Sequence, residues 1–148
     1  MRMHPGAPKI IAIDRDDHHA EHVGRTSDGR QFLLTTPFVP GPEGNEFVAL
    51  YLFDAAGALL EAHVDEFGSR DAMDELARRR VYEARLAGLG EVSFERIEVA
   101  PFCVERFGVE FGLIPEEPEN EDDTWWVAME PGDYMAFGEP WDSGEYDT

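Results

Sequence analysis

The sequence predicts an α+β fold, a single domain in which a mainly antiparallel sheet is crossed by one long helix. Three observations lead there. Short apolar segments with two-residue alternation recur from Lys9 to Met129, and only Ser69 to about Leu89 has a helical period. Gly- and Pro-rich turns separate these segments with no internal repeat. A chain of 148 residues, 43% apolar, suits one domain over 1–148 and buries about two-thirds of its unfolded surface.

Taken in order, Lys9–Ile13 and Arg30–Thr36 are short strand candidates, and Pro37–Asn45, with three prolines and two glycines, is a loop. Phe47–Phe53 is apolar on both alternating faces, as a central strand would be. It runs into Asp54-Ala55-Ala56-Gly57, where Asp opens a tight turn and Gly takes positive φ. Ala58–Asp65 then alternates, with Leu60, Ala62 and Val64 on one side and Glu61, His63 and Asp65 on the other. In the helix, Ser69 is the expected N-cap and Asp71, Asp74 and Glu75 favour the first turns. Met73, Leu76, Ala77, Val81 and Ala84 share its inward face, and Gly88 and Gly90 stop it.

Beyond the helix, Val92–Val99, Phe102–Arg106 and Val109–Leu113 read as strands, with Val109, Phe111 and Leu113 on one face. Pro115–Asp123 carries six acids and reads as a loop. Trp125, Val127 and Met129 alternate with Trp126 and Ala128, which puts one indole on each face of a strand. At the end, Pro140, Asp142 and Gly144 suit a turn that packs Trp141 on the domain and returns Tyr146 to it.

Charge narrows the function. The chain holds 32 acids and 12 bases, a formal charge of −20. Residues 1–106 have 12 bases against 19 acids, and Phe107–Thr148 has thirteen acids, all three tryptophans and no Lys or Arg. Nucleic-acid binding draws on cations that displace phosphate counterions, so no nucleic-acid partner is expected. The longest apolar run, Phe47–Phe53, is shorter than the roughly 20 residues of a membrane span, and the N-terminus lacks the apolar core of a signal peptide. The reading is a cytoplasmic protein with no membrane partner. Its acidic, aromatic end suits a protein partner with a basic surface, and Trp125, Trp126, Trp141 and Tyr146 are the candidate contact residues. The two adjacent indoles read as core before contact. Oligomeric state is left open.

Candidate chemistry is sparse. The only cysteine, Cys103, lies between Phe102 and Val104 and reads as a small core residue rather than a reactive thiol. Asp14-Arg15-Asp16-Asp17-His18-His19-Ala20-Glu21-His22 is rich in potential metal ligands, of which Asp14, Asp16, His18 and His22 are the candidates. An EF-hand loop begun at Asp14 would require Gly and Glu where His19 and Arg25 stand, so a polar surface turn is favoured and no metal or other cofactor is expected. His63, flanked on its strand face by Glu61 and Asp65, is a weaker candidate, and its plainer reading is a hydrated face with balanced charge. No serine lies in a Gly-x-Ser-x-Gly elbow, Lys9 is not in a Walker loop, and no Gly-x-Gly-x-x-Gly follows a strand. No catalytic residue is expected.

The ending Phe137-Gly138-Glu139-Pro140-Trp141-Asp142-Ser143-Gly144-Glu145-Tyr146-Asp147-Thr148 resembles the close of a family of small bacterial proteins, common in actinomycete-type genomes. They are labelled formate hydrogenlyase regulatory proteins. The family pattern is Pro-Trp-Asp-Gly…Tyr-Asp-Thr, here with Ser143 inserted before Gly144. Gly24-Arg25…Asp28-Gly29…Gln31-Phe32, Leu52-Phe53-Asp54-Ala55-Ala56-Gly57 and Pro101-Phe102…Gly108-Val109-Glu110-Phe111-Gly112-Leu113 are similar in the same order. The resemblance carries over no catalytic residue. It implies regulation, which at −20 would run through protein contacts. Three functions follow as expectations: a non-enzymatic, regulatory protein-binding protein; an immunity-type inhibitor of a basic toxin; or a metal-dependent enzyme using Asp14–His22.

Overall fold

A strand apolar on both faces must be covered twice, and the computed structural model of the protein covers Phe47–Phe53 in that way. Phe47, Ala49, Tyr51 and Phe53 enter one buried cluster, and Val48, Leu50 and Leu52 enter another on the opposite side. The structure describes residues 9–15, 22–40, 44–116, 126–131, 135–137 and 144–146. Its elements are β1 (Ile11–Ile13), β2 (His22–Thr26), β3 (Gln31–Thr35), β4 (Phe38–Val39), β5 (Asn45–Phe53), β6 (Leu59–Glu66), α1 (Glu75–Ala87), β7 (Val92–Phe94), β8 (Ile97–Val99), β9 (Phe102–Arg106), β10 (Val109–Glu116), β11 (Trp126–Glu130), β12 (Met135–Phe137) and β13 (Gly144–Tyr146).

Among the described residues these strands form two larger sheets and one short pair. In the first sheet β5 pairs with β6 on one edge and β3 on the other, and β2 and β7 follow beyond β3. β4 continues the β3 edge, because Thr35↔Ala49 and Phe38↔Glu46 lie in one unbroken register. The second sheet has the order β13-β12-β11-β10-β9, and β1 pairs with β8. Every pairing is antiparallel. Phe111, Leu113, Val127 and Met129 of the second sheet share a core with the β5 face, as do Ile11, Ile13, Ile97 and Val99. Edge-to-face ring contacts, Phe47 with Phe111 at 4.8 Å and Tyr51 with Phe102 at 4.7 Å, join the two sheets. On the other side of the first sheet, Val81, Tyr82 and Leu86 of α1 pack on the cluster of Phe32, Leu34, Val48, Leu50 and Leu52.

Among the described residues the result is mostly β, a mainly antiparallel structure with one helix, and the helix is short. α1 has thirteen residues instead of the predicted span from Ser69. Phe67 N–H and Gly68 C=O still bond to Glu46, so the chain is tied to the start of β5 and must turn before it can lie back across the sheet. Asp74 therefore caps the helix, accepting from the Leu76 and Ala77 N–H groups at 3.0 and 3.1 Å. The later start changes the buried face. Leu76, predicted inward, is 63% exposed, and Ala84 is exposed too. Met73 precedes the helix, and of the predicted inward set Val81 packs against the sheet.

The tight turn expected at Asp54–Gly57 forms from local bonds. Asp54 Oδ1 accepts from the N–H groups of Ala56 and Ala58, both at 2.9 Å, and Gly57 has φ of +99°. A register shift at Leu52/Phe53 then turns Leu59 toward the core and leaves Leu60 51% exposed, while Ala62 and Val64 face inward as predicted. Val92–Val99 breaks into β7 and β8, which join different sheets. Buried Gln31 fastens these parts. Its Nε2 donates to Glu98 O at 2.8 Å and Asp54 O at 3.2 Å, and its Oε1 accepts from Glu98 N at 2.7 Å. β2, β4, β12 and β13 were not predicted. Gly24 is required in β2 because a Cβ there would stand 1.8 Å from Ser93 O of β7.

Candidate functional site

The metal candidates do not converge. Asp14 follows β1 and pairs with Arg96 at 3.5 Å. His22 opens β2, where its Nδ1 lies 2.5 Å from the Tyr82 hydroxyl and its ring packs between Tyr82 and Phe94. Asp16 and His18 lie outside the described residues. His63 lies 3.1 Å from Glu61, which also faces Arg30 at 3.8 Å, and Asp65 takes two guanidinium nitrogens of Arg85. That strand face has the balanced charge its plainer reading expected. Among the described residues, no three His, Cys, Asp or Glu side chains are placed to hold a metal ion.

Of the candidate contact residues, Trp126 is at the start of β11 and 43% exposed, which corrects its reading as a core residue. Tyr146 is in β13, its backbone paired with Met135. Trp125 and Trp141 lie outside the described residues. The acidic stretch Pro115–Asp123 is not wholly a loop, since Pro115 and Glu116 complete β10.

Trp126 belongs to a distinctive surface. Phe107 and Gly108 both have positive φ, +54° and +72°, and make a two-residue turn that pairs Arg106 with Val109. That register sets Glu105 directly opposite Glu110, both exposed. Like charges in this position repel. Two and six residues further along β10, Gly112 and Glu116 share the Glu110 face, and Glu116 is paired with Trp126. Gly112 is needed there, because a Cβ would stand 2.0 Å from Phe102 O. Among the described residues neither Glu105, Glu110 nor Glu116 has an ion-pair partner. Ion pairs concentrate elsewhere: Arg78 and Arg70 on buried Glu46, Arg85 on Asp65, Arg25 on Glu95.

Cys103 is on this same acidic face and is exposed, contrary to its reading as a core residue, because strand alternation turns Phe102 and Val104 inward and Cys103 out. Its thiol donates to Glu110 Oε2 at 3.4 Å. Desolvation pushes the thiol pKa up, and the hydrogen bond to Glu110 and the charges of Glu110 and Glu105 add to this. A reactive thiolate is disfavoured.

A concavity of about 630 Å³ lies elsewhere, between α1 and the adjoining ends of β2 and β3. Glu75, Arg78, Arg79, Tyr82, Glu83 and Leu86 form its helical wall, and His22, Leu34, Thr35 and Thr36 face them. The wall has the spacing of one helical stripe. That spacing is present in the sequence, but the apolar residues of the helix point to a different face. Comparison with known proteins identifies no relative: no family model, no curated protein and no solved structure matches the chain. Among the described residues, no helix is long and apolar enough to cross a membrane.

Proposed function

We propose that the protein is a non-enzymatic, cytoplasmic protein-binding protein that acts through the outer face of its second sheet on a partner with a basic surface. The observation that carries this reading is the exposed Glu105–Glu110 cross-strand pair, on the same face as Glu116 and exposed Trp126. Aligned carboxylates repel until a cationic surface lies over them, and an indole beside them supplies the apolar contact that typically dominates binding energy. Long-range attraction would also speed encounter at low salt. A regulatory role, which the resemblance to the formate hydrogenlyase regulatory family implies, would then run through this contact. Inhibition of a basic toxin, as an immunity-type protein, would use the same face.

The test is capture from native extract with three forms of the full chain. The wild type should retain a basic protein that elutes as salt rises. Glu105→Lys with Glu110→Lys should lose it, and Trp126→Ala should weaken it. Equal retention by the charge-reversed form would remove this face from the reading.

A further inference from the structure

We infer that the cleft between α1 and the ends of β2 and β3 is a binding site for a small zwitterion, an α-amino acid with an apolar side chain. Its volume, about 630 Å³, is in the range of small-molecule sites. Its charge is what selects the ligand class. In a chain of −20 this cleft is lined by two guanidinium groups and two carboxylates. One of each is already engaged: Arg78 is held by Glu75 at 2.9 Å and by buried Glu46 at 3.3 Å. Arg79 and Glu83 remain. They are one helical turn apart on the same wall, and among the described residues neither has an ion-pair partner.

A ligand with a carboxylate and an ammonium a few ångströms apart satisfies both groups, the carboxylate on Arg79 and the ammonium on Glu83. Leu86 and the Tyr82 ring, both only partly buried, offer an apolar surface for its side chain. A simple anion would approach against the field of the whole chain, whereas a simple cation would be drawn to acidic surface everywhere. A zwitterion has no net charge and is recognised only where opposite charges are spaced to match. The hydrogen bond between His22 and Tyr82 steadies the wall on which that spacing depends.

The test is titration of the full chain, followed by amide NMR shifts, with phenylalanine, 3-phenylpropionate (no ammonium) and phenethylamine (no carboxylate). Phenylalanine should saturate, moving signals of α1 and of Thr35 and Thr36, and the two analogues should bind at least about tenfold more weakly. Arg79→Ala should weaken phenylalanine and 3-phenylpropionate but not phenethylamine. Glu83→Ala should weaken phenylalanine and phenethylamine but not 3-phenylpropionate. Arg80→Ala, on the same helix outside the cleft, should bind as the wild type does. Absence of saturation, an analogue as tight as phenylalanine, or unchanged binding in both variants would overturn the assignment. Because the readout is amino-acid binding alone, its outcome is independent of whether the acidic face takes a protein.

Discussion

Among single residues, Gln31 has the most consequential place for its size. It is fully buried between the β5–β6 turn and β8, and it satisfies both the N–H and the C=O of Glu98. Replacing it with Leu keeps much of the volume but takes the partner from those two part-buried backbone groups. The expected loss is on the order of 3 kcal/mol in urea unfolding, with an unchanged slope. A loss under about 1 kcal/mol would mean that the turn and β8 rearrange to find other partners. Cys103 offers a second test at this scale. With its pKa raised by desolvation and by Glu110, it should alkylate more slowly at mildly alkaline pH than a cysteine in an unstructured peptide. Glu110→Gln removes a charge that opposes the thiolate, so the rate should rise. An unchanged rate would show that the Glu110 charge does not set this thiol and would leave desolvation and Glu105 to do so.

At the scale of elements, α1 separates what was legible in the sequence from what was not. β5, the Asp54–Gly57 turn and the buried face of β10 were legible because alternation and turn residues act locally. The helix start was not. Ser69 and Asp74 are both competent caps, and the choice was made by tertiary bonds from Phe67 and Gly68 to Glu46. β2 was hidden for a related reason: His22-Val23-Gly24-Arg25-Thr26 has little alternation of its own, and its neighbours β3 and β7 make it a strand. The acidic face was half legible, since composition showed the charge but only register showed Glu105 opposite Glu110. These placements give an ordered set of stabilities. Asp74→Ala should cost about 1 kcal/mol as a lost cap. Leu86→Ala, on the packed face, should cost about 2 kcal/mol. Leu76→Ala should stay within about 0.5 kcal/mol because Leu76 is mostly in solvent. Thermal or urea melts that placed Leu76 above Leu86 would restore the face predicted from the sequence.

For the whole molecule, two electrostatic effects oppose each other, and their sizes decide the response to salt. The first sheet and its helix hold ion pairs such as Arg25–Glu95, Arg30–Asp28 and Arg85–Asp65, all partly exposed. Pairs of this kind contribute roughly 0–1 kcal/mol each, and salt weakens them. Against them stands an excess of twenty negative charges, thirteen of them beyond Arg106 with no base among them. That excess repels itself in the folded state over a screening length of about 30 Å at 0.01 M salt but only about 10 Å at 0.1 M. Repulsion summed over so large a net charge should outweigh a handful of surface pairs, so adding sodium chloride over this range should raise the melting temperature. Glu105→Gln with Glu110→Gln should raise it at low salt and flatten the dependence, because the variant removes a directly opposed pair. Glu61→Gln should do the reverse, since Glu61 faces both Arg30 and His63. A melting temperature that fell with added salt would mean that the arginine pairs of the first sheet dominate. The acidic face would then be no more strained than ordinary surface.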